Sequence, residues 1–319
     1  MTASTTAPAV SLAAIQAAAR ALVGVAVRTP MVEVAGRPLF LKCEHLQLIG
    51  AFKIRGAFTA IAGLTPEQRA RGLVTSSSGN HGQAVAAVAH RFGVPCVIVM
   101  PESAPGVKVA GVRRHGGEVV FAGKTRSPQQ QTVADGYVTE RGMTMIPPFD
   151  HPGVITGQGT CGLEIVEQVP KVRTVLVPVG GGGLLSGVTL AISALRPDIE
   201  IIGVEPAGAP KLSAALAANR PVTLDQTASL ADGLLTRSIG TLPWSIIQGR
   251  VRRAVQVTEP EIGAAVRWLY HTQGLTVEPS GAVTVAAVLA GKVEGTGPVV
   301  AVLSGGNVDP DLFQSLITS

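Results

Sequence analysis

Residues 174–187 read TVLVPVGGGGLLSG, and this stretch decides the fold class. The apolar run before the glycines predicts a buried strand, and the pattern after them predicts a helix that continues to Leu195. A glycine run between a buried strand and a helix lets consecutive backbone N–H groups point at an anion, and the helix N-terminus adds its partial positive charge. The stretch therefore predicts an α/β protein with a phosphate-binding turn. A tight turn without a ligand is the alternative.

The same alternation of strand and helix recurs along the chain. It predicts strands over residues 39–41, 72–75, 94–100, 199–204 and 298–303, and helices over residues 12–23, 84–92, 261–273 and 282–290. Such a pattern indicates a mostly parallel sheet that is covered on both faces and binds ligands beyond the carboxyl ends of its strands. Three polar or glycine-rich blocks follow predicted strands and could converge on one pocket: SSSGNHG at 76–82, GGGG at 180–183 and SGGN at 304–307.

The composition excludes several classes of protein. With 46% hydrophobic and 15% charged residues, the 319-residue chain is not intrinsically disordered. The net charge of +5 comes from scattered Lys and Arg, which suits small anionic ligands better than a nucleic acid.

Three cysteines are too few for a disulfide framework, so Cys43, Cys96 and Cys161 are expected to be reduced core residues. No apolar run approaches the roughly 18 residues of a membrane span, and the first ten residues lack the Lys or Arg of a secretory leader. We therefore expect a cytoplasmic protein without a membrane partner.

Lys53 is the candidate nucleophile. It lies in Gly50-Ala-Phe-Lys-Ile-Arg-Gly56, where an apolar stretch begins a predicted helix. The flanking apolar side chains would desolvate the amine of Lys53. The partial positive charge of the helix N-terminus would disfavour its protonated form. Both effects lower the pKa of a lysine and favour the neutral amine that forms a Schiff base. A solvated lysine on a helix face is the alternative.

Two further blocks contribute polar groups at strand ends. The serines and first-turn N–H groups of residues 76–82 make a carboxylate site, and Asn80 can hydrogen-bond a ring hydroxyl. An ordinary helix N-cap explains one of these serines but not the whole block. Ser304 places one neutral hydroxyl after the last strand.

Other kinds of site find less support in the sequence. Five histidines show no paired ligand spacing, so no metal centre is predicted: His45, His90, His115, His151 and His271. The glycine run is not a Walker loop, and the third glycine of a dinucleotide fingerprint would fall on Ser186. Glu205 ends the next strand, roughly where a ribose-binding acid would lie. A nicotinamide-dependent oxidoreductase is therefore the alternative from another class.

Taken together, these blocks resemble the serine/threonine dehydratase and serine racemase family of fold-type II pyridoxal-phosphate enzymes. The matching segments cover nearly the whole chain in order: 42–44, 50–57, 76–84, 99–108, 157–160, 177–183, 204–206, 231–233, 278–282 and 304–307. The resemblance implies a two-domain α/β fold like that of the tryptophan synthase β subunit. Residues 1–69 and 149–319 would form the large cofactor-binding domain, residues 70–148 would form a small mobile domain, and the protein would be a homodimer.

The resemblance also implies roles for particular residues. Lys53 would hold pyridoxal 5′-phosphate covalently and act on the α-proton of the substrate. Ser78 matches the serine that acts as acid and base on the opposite face in racemases. The remaining cofactor contacts would come from Asn80 at the 3′-oxygen, Ser304 at the pyridine nitrogen, and Gly180, Gly181, Gly182, Gly183 and the N–H of Leu184 at the phosphate. The substrate carboxylate would lie among Ser77, Asn80 and His81.

The implied reaction is loss of water from a β-hydroxy amino acid, with L-threonine or L-serine as the first expectation. Serine racemisation is the main alternative, and dehydration of 3-hydroxyaspartate or phenylserine is another. Arg237 could pair with a second carboxylate of the substrate, although a solvated surface arginine is the favoured interpretation. One departure from the family concerns its cation site. After Glu205-Pro206 the chain has Lys211 where some members carry a second acid, so an ammonium group could replace a metal ion and make the enzyme metal-independent.

Overall fold

A computed structural model describes residues 10–125, 127–293 and 297–318. Most of the N-terminal stretch used to predict the absence of a leader lies outside these residues. The helices are α1 Leu12–Ala21, α2 Lys53–Ala62, α3 Pro66–Ala70, α4 Asn80–Phe92, α5 Gly106–Arg114, α6 Pro128–Arg141, α7 Pro152–Gln168, α8 Gly183–Leu195, α9 Lys211–Ala218, α10 Thr241–Ile247, α11 Glu259–Gln273, α12 Pro279–Leu289 and α13 Pro310–Thr318. Short 3-10 helices span Glu44–Leu46 and Asp232–Leu234.

The strands form two separate sheets. They are β1 Met31–Glu33, β2 Leu39–Lys42, β3 Leu73–Ser76, β4 Cys96–Met100, β5 Glu118–Phe121, β6 Thr144–Met145, β7 Thr174–Pro178, β8 Glu200–Pro206, β9 Arg253–Val257 and β10 Val299–Val302. The larger sheet has the order β1-β2-β10-β7-β8-β9 and the smaller one β5-β4-β3-β6. Only the pairing of β1 with β2 is antiparallel among these strands. The predicted α/β fold with mostly parallel sheets is confirmed.

Apolar side chains cover both faces of each sheet, as parallel strands require. In the larger sheet, one core includes Leu176, Ile202 and residues of α11 and α12, and the other includes Val175, Val177 and residues of α8. The smaller sheet packs against α2 and α4 on one face and against α6 on the other. Each of the predicted helices and strands is therefore held mainly by burial of its apolar side.

The three cysteines are buried and free, as predicted. Burial raises the pKa of Cys43 to about 12 and that of Cys96 to about 11, so neither thiol ionises at neutral pH. None of the described helices combines the length and apolar character that a membrane crossing requires. The smaller sheet lies within residues 73–145 and the larger one in the flanking segments. The domain boundaries drawn from the sequence, the homodimer and the cytoplasmic location stay predictions.

Candidate active site

Lys53 is the first residue of α2, and its side chain points to a neighbouring loop. Its Nζ donates a hydrogen bond to the carbonyl oxygen of Pro148 at 2.6 Å. The backbone before it is tied to the loop after β10, because the N–H of Phe52 donates to Ser304 O at 3.1 Å and Ala51 bridges Gly305. The structure therefore places Lys53 beside the SGGN loop.

A buried ion network holds α2 from behind. Arg55 lies two residues after Lys53, and its guanidinium group contacts Glu44 at 2.8 Å and Glu164 at 2.7 Å. Lys42 contacts the same Glu164 at 2.5 Å. Because buried charges are costly unless they are paired, this network favours the rotation of α2 that keeps Arg55 against both carboxylates, two residues after Lys53.

Asn80 connects the smaller sheet to the SGGN loop that lies beside Lys53. It begins α4, which follows β3 of the smaller sheet, and its Oδ1 accepts a hydrogen bond from Asn307 Nδ2 at 2.9 Å. Its Nδ2 donates to Glu278 Oε1 at 2.5 Å. Lys53, Asn80 and Ser304 are thus brought together from three distant parts of the chain.

Ser304 is a buried hydroxyl at the end of the strand β10. Its Oγ donates to the carbonyl oxygen of Ser280 at 3.4 Å, and its side chain is almost fully buried. The hydroxyl of Ser280 accepts a hydrogen bond from the N–H of Gly233 at 2.9 Å. This chain of contacts leads from Ser304 toward the glycine loop, since Gly233 O lies beside Gly180.

The glycine loop forms a cradle that side chains would fill. A Cβ atom added to Gly181 would lie 2.5 Å from the ring atom Cδ1 of Phe149, and one added to Gly183 would lie 2.9 Å from Phe149 Cβ. Gly182 has a φ of +92°, which side chains rarely adopt. The first N–H groups of α8, including that of Leu184, have no acceptors within their own helix. A concave surface of backbone donors at a helix N-terminus fits a phosphate group.

The residues of the SSSGNHG block serve different purposes. Ser77 Oγ accepts hydrogen bonds from the N–H groups of Gly79 at 3.3 Å and Gly82 at 3.1 Å, so this hydroxyl stabilises the turn that leads into α4. Ser78 is half-buried in the same turn.

His81 is buried, and its Nε2 lies 2.9 Å from the carbonyl oxygen of Ile146. Burial lowers the pKa of His81 to about 3, and the charge of Lys53 acts in the same direction. His81 is therefore neutral at ordinary pH.

We expect His81 to make the folded state less stable in acid. The pKa of His81 is lowered to about 3 in the folded state, so below pH 6.5 the unfolded chain binds a proton that the folded protein does not. Stability should then fall by about 1.4 kcal/mol per pH unit as the pH drops from 6.5 toward 3. Urea unfolding at pH 7 and pH 5 measures this slope. His81→Gln should reduce the slope by one proton, and the exposed His90→Gln should not. Equal slopes in all three proteins would contradict the assignment.

Glu205, at the end of β8, and Lys211, at the start of α9, form a buried pair. Lys211 Nζ donates to Ala209 O at 2.8 Å and to Leu234 O at 2.9 Å, and it lies 3.9 Å from Glu205 Oε2. The carboxylate of Glu205 accepts hydrogen bonds from the N–H groups of Leu212 and Ser213, each at 2.8 Å, at the start of α9. Glu205 is fully buried and caps a helix, which is a different role from binding a ribose.

The position of Lys211 leads to a prediction about metal ions. Because its ammonium group already contacts two carbonyl oxygens and faces Glu205, we expect chelators and added Mg²⁺ or Ca²⁺ to leave activity unchanged. Lys211→Met should lower the free energy of unfolding by about 3 kcal/mol or more, since it leaves a buried carboxylate without its cation. Exposed Lys171→Met is the matched control. Loss of activity in chelator that is restored by Mg²⁺ would show the prediction to be wrong.

Some residues of the site were not recognised from the sequence. Phe149 and Pro148 contact the glycine loop and Lys53, but no local pattern marks them. Lys108, Asp232 and Glu278 fell within matching segments without a role. Arg237 is exposed and its Nε donates to Leu224 O, which gives no support for a second carboxylate site. In the described ranges no group of three or more His, Cys, Asp or Glu side chains is placed to hold a metal ion.

Comparison with known proteins agrees with this geometry. The family model described as "Pyridoxal-phosphate dependent enzyme" matches residues 24–305. The chain belongs to this family. Its cofactor is pyridoxal phosphate, and the glycine cradle at Gly180–Gly183 fits the phosphate of that cofactor. The nicotinamide-dependent oxidoreductase is therefore the wrong alternative.

Individual relatives have related activities. The chain is 40% identical over 315 residues to an L-threonine ammonia-lyase from Thermotoga maritima, which covers 97% of this chain and 78% of that protein. It is 37% identical over 307 residues to an L-threo-3-hydroxyaspartate ammonia-lyase from Pseudomonas, covering 94% and 96%. The solved structure of maize serine racemase superposes with a TM-score of 0.92 at 37% identity and covers 98% of both chains. The protein is thus a pyridoxal-phosphate-dependent lyase of this group.

Proposed function

We propose that this lyase removes water from a β-hydroxy amino acid, with L-threonine or L-serine as the substrate, and releases a 2-oxo acid and ammonia. The observation that carries the proposal is that Lys53, Asn80 and Ser304 lie together near the glycine cradle. The N–H of Phe52 donates to Ser304 O, and Asn307 of the same loop donates to Asn80. An amine, an amide and a neutral hydroxyl at these positions suit the aldehyde, the ring oxygen and the ring nitrogen of the cofactor.

Lys53 carries the proton transfer in this proposal. When bound, pyridoxal phosphate withdraws electrons from the amino acid and so acidifies its Cα–H bond. Lys53 would hold the cofactor, and its Nζ, once freed, would accept the Cα proton of the substrate. Pro148 O, which accepts a hydrogen bond from Nζ at 2.6 Å, keeps the amine at the start of α2.

Ser304 favours elimination over transamination. Its hydroxyl is neutral, so it does not keep the ring nitrogen protonated as a carboxylate would. With the cofactor bound, a neutral partner at the ring nitrogen would favour departure of the β-hydroxyl group over transamination. The Lys53 amine, protonated by the Cα proton, would supply the proton with which this group leaves as water. The released enamine hydrolyses to the 2-oxo acid and ammonia.

The N-terminal turn of α4 is the proposed carboxylate site. Ser77, Asn80 and His81 lie in or next to this turn, where backbone N–H groups favour an anion. Because α4 follows β3 of the smaller sheet and Ser304 follows β10 of the larger one, the substrate would lie between the two sheets. We propose that residues 70–148 move toward the larger domain and exclude water when the substrate binds.

Serine racemisation is the second candidate because Ser78 lies in the turn that leads into Asn80. A half-buried hydroxyl there is placed in the same loop as the proposed carboxylate site. The similarity to maize serine racemase supports this reading, and the similarity to the Pseudomonas enzyme supports 3-hydroxyaspartate as a substrate. Phenylserine is a further substrate to consider.

The test is 2-oxo acid release by the purified, cofactor-loaded protein. L-threonine, L-serine, D-serine, L-threo-3-hydroxyaspartate and phenylserine are assayed separately, and the chirality of remaining serine is measured afterwards. Ser78→Ala is assayed alongside the wild type. We expect oxo acid from L-threonine and L-serine, with activity retained in Ser78→Ala.

Each other outcome overturns the proposal in a defined way. D-serine formed from L-serine without oxo acid, and lost in Ser78→Ala, would establish a racemase. Oxo acid from 3-hydroxyaspartate or phenylserine alone would identify a dehydratase with a different substrate. No product from any of the five compounds would refute the dehydratase assignment.

A further inference from the structure

Lys108 is a buried lysine that connects the two sheets. It is the third residue of α5, which packs beside the smaller sheet, and only 1% of its surface is exposed. Its Nζ donates to Asp232 Oδ2 at 2.6 Å and Oδ1 at 2.9 Å, and it lies 3.1 Å from Glu278 Oε2. Asp232 begins a 3-10 helix and Glu278 directly precedes α12. Both lie in the part of the chain whose strands form the larger sheet. One ammonium group therefore bridges the two parts of the molecule.

The same contacts lead directly to Asn80. Glu278 uses one carboxylate oxygen for Lys108 and the other for Asn80, whose Nδ2 donates to Oε1 at 2.5 Å. Asn307 donates to Asn80 Oδ1 at 2.9 Å. Because an ionised carboxylate can only accept and the Asn307 amide nitrogen can only donate, these partners allow one orientation of the Asn80 amide. The second N–H of Asn80 Nδ2 is then left for another acceptor.

The charges explain why this arrangement needs Lys108. Burial raises the pKa of Glu278, and the nearby Asp232 raises it further, whereas the ammonium of Lys108 opposes both. Burial alone would lower the pKa of Lys108, but the two carboxylates raise it overall, so the lysine stays charged. Without this cation, the buried carboxylate of Glu278 would face the half-buried carboxylate of Asp232, and a protonated Glu278 could donate to Asn80 and turn its amide over.

We propose that Lys108 is a positioning residue that acts through Glu278 to fix the Asn80 amide with an N–H directed at the ring oxygen of the bound cofactor. The inference rests on the proposed contact between Asn80 and the cofactor. It does not depend on which amino acid is the substrate. Lys108 itself need not touch the cofactor or the substrate.

A double-mutant cycle on cofactor affinity tests this role. The dissociation constant of pyridoxal phosphate is measured by fluorescence titration of the cofactor-free protein, with the absorption spectrum of the bound cofactor as a second readout. Lys108→Met should weaken binding about tenfold, as loss of one hydrogen bond predicts, and shift the spectrum. Lys108→Arg should restore most of the affinity. In the Asn80→Ala background, Lys108→Met should cost little further affinity. Exposed Lys124→Met is the control.

The cycle distinguishes positioning from a general structural role. An equal loss of affinity from Lys108→Met with and without Asn80 would refute the proposal, as would unchanged affinity and spectrum. If Lys108→Met does not fold, Lys108→Gln is carried through the same cycle, because it removes the positive charge next to Glu278 and Asp232 while keeping a polar side chain. Cofactor affinity is measured without substrate, so failure of the dehydratase assignment would leave this test intact.

Discussion

Lys53→Ala should reduce 2-oxo acid release by roughly 10⁴-fold, since it removes both the covalent holder of the cofactor and the base that accepts the Cα proton. The amine is placed for this work at the start of α2, where Pro148 O accepts its hydrogen bond at 2.6 Å. The other buried lysines of the described residues, Lys42, Lys108 and Lys211, are each engaged with their own acceptors.

Three measurements check the prediction for Lys53. The wild-type protein should form a borohydride-stable adduct with the cofactor on the Lys53 peptide by mass spectrometry, and the variant should not. Added methylamine should restore part of the lost rate, as it supplies the missing amine. Exposed Lys171→Ala is the control and should behave as wild type. More than a hundredth of the wild-type rate in Lys53→Ala would require a different base.

Gly181→Ala should weaken cofactor binding by about 10- to 100-fold, which corresponds to the usual 1–3 kcal/mol strain of overpacking. A Cβ atom at this position would lie 2.5 Å from Phe149 Cδ1. The strain can be relieved only by moving the glycine loop or Phe149. Phe149 follows Pro148, the acceptor for Lys53, so either movement disturbs the cofactor site.

Two companion variants separate steric strain from a general loss of flexibility. In Gly180→Ala the nearest atom to the new Cβ is Gly233 O at 3.3 Å, so a much smaller loss of affinity is expected. Phe149→Ala combined with Gly181→Ala makes room for the added methyl group and should recover affinity relative to Gly181→Ala alone. Equal losses in Gly180→Ala and Gly181→Ala, or no recovery in the double variant, would contradict the packing argument.

The long apolar segments could be predicted from sequence because their local pattern and their tertiary environment agree. The strand predicted over 174–179 is Thr174–Pro178, and the helix predicted to end at Leu195 does end there. The helix predicted from residue 84 begins four residues earlier, at Asn80, because the polar Asn-His pair forms its first turn. No prediction was made for β1, β5, β6 or β9. These strands are short or half-exposed, so they lack the continuous apolar run on which strand prediction depends.

The sequence by itself determined the fold class and the strand-end blocks, because strand, glycine turn and helix are encoded within a few consecutive residues. The cofactor family followed from the resemblance of those blocks, taken in order, to a known enzyme family. It also identified Lys53, Asn80 and Ser304 as candidates, though not their contacts. Only the tertiary structure decided that Glu278 links Lys108 to Asn80 and that Phe149 covers the glycine loop. Asn80 and Glu278 are 198 residues apart in the chain. Contacts over such a separation depend on how two sheets pack, and local sequence patterns carry no information on that packing.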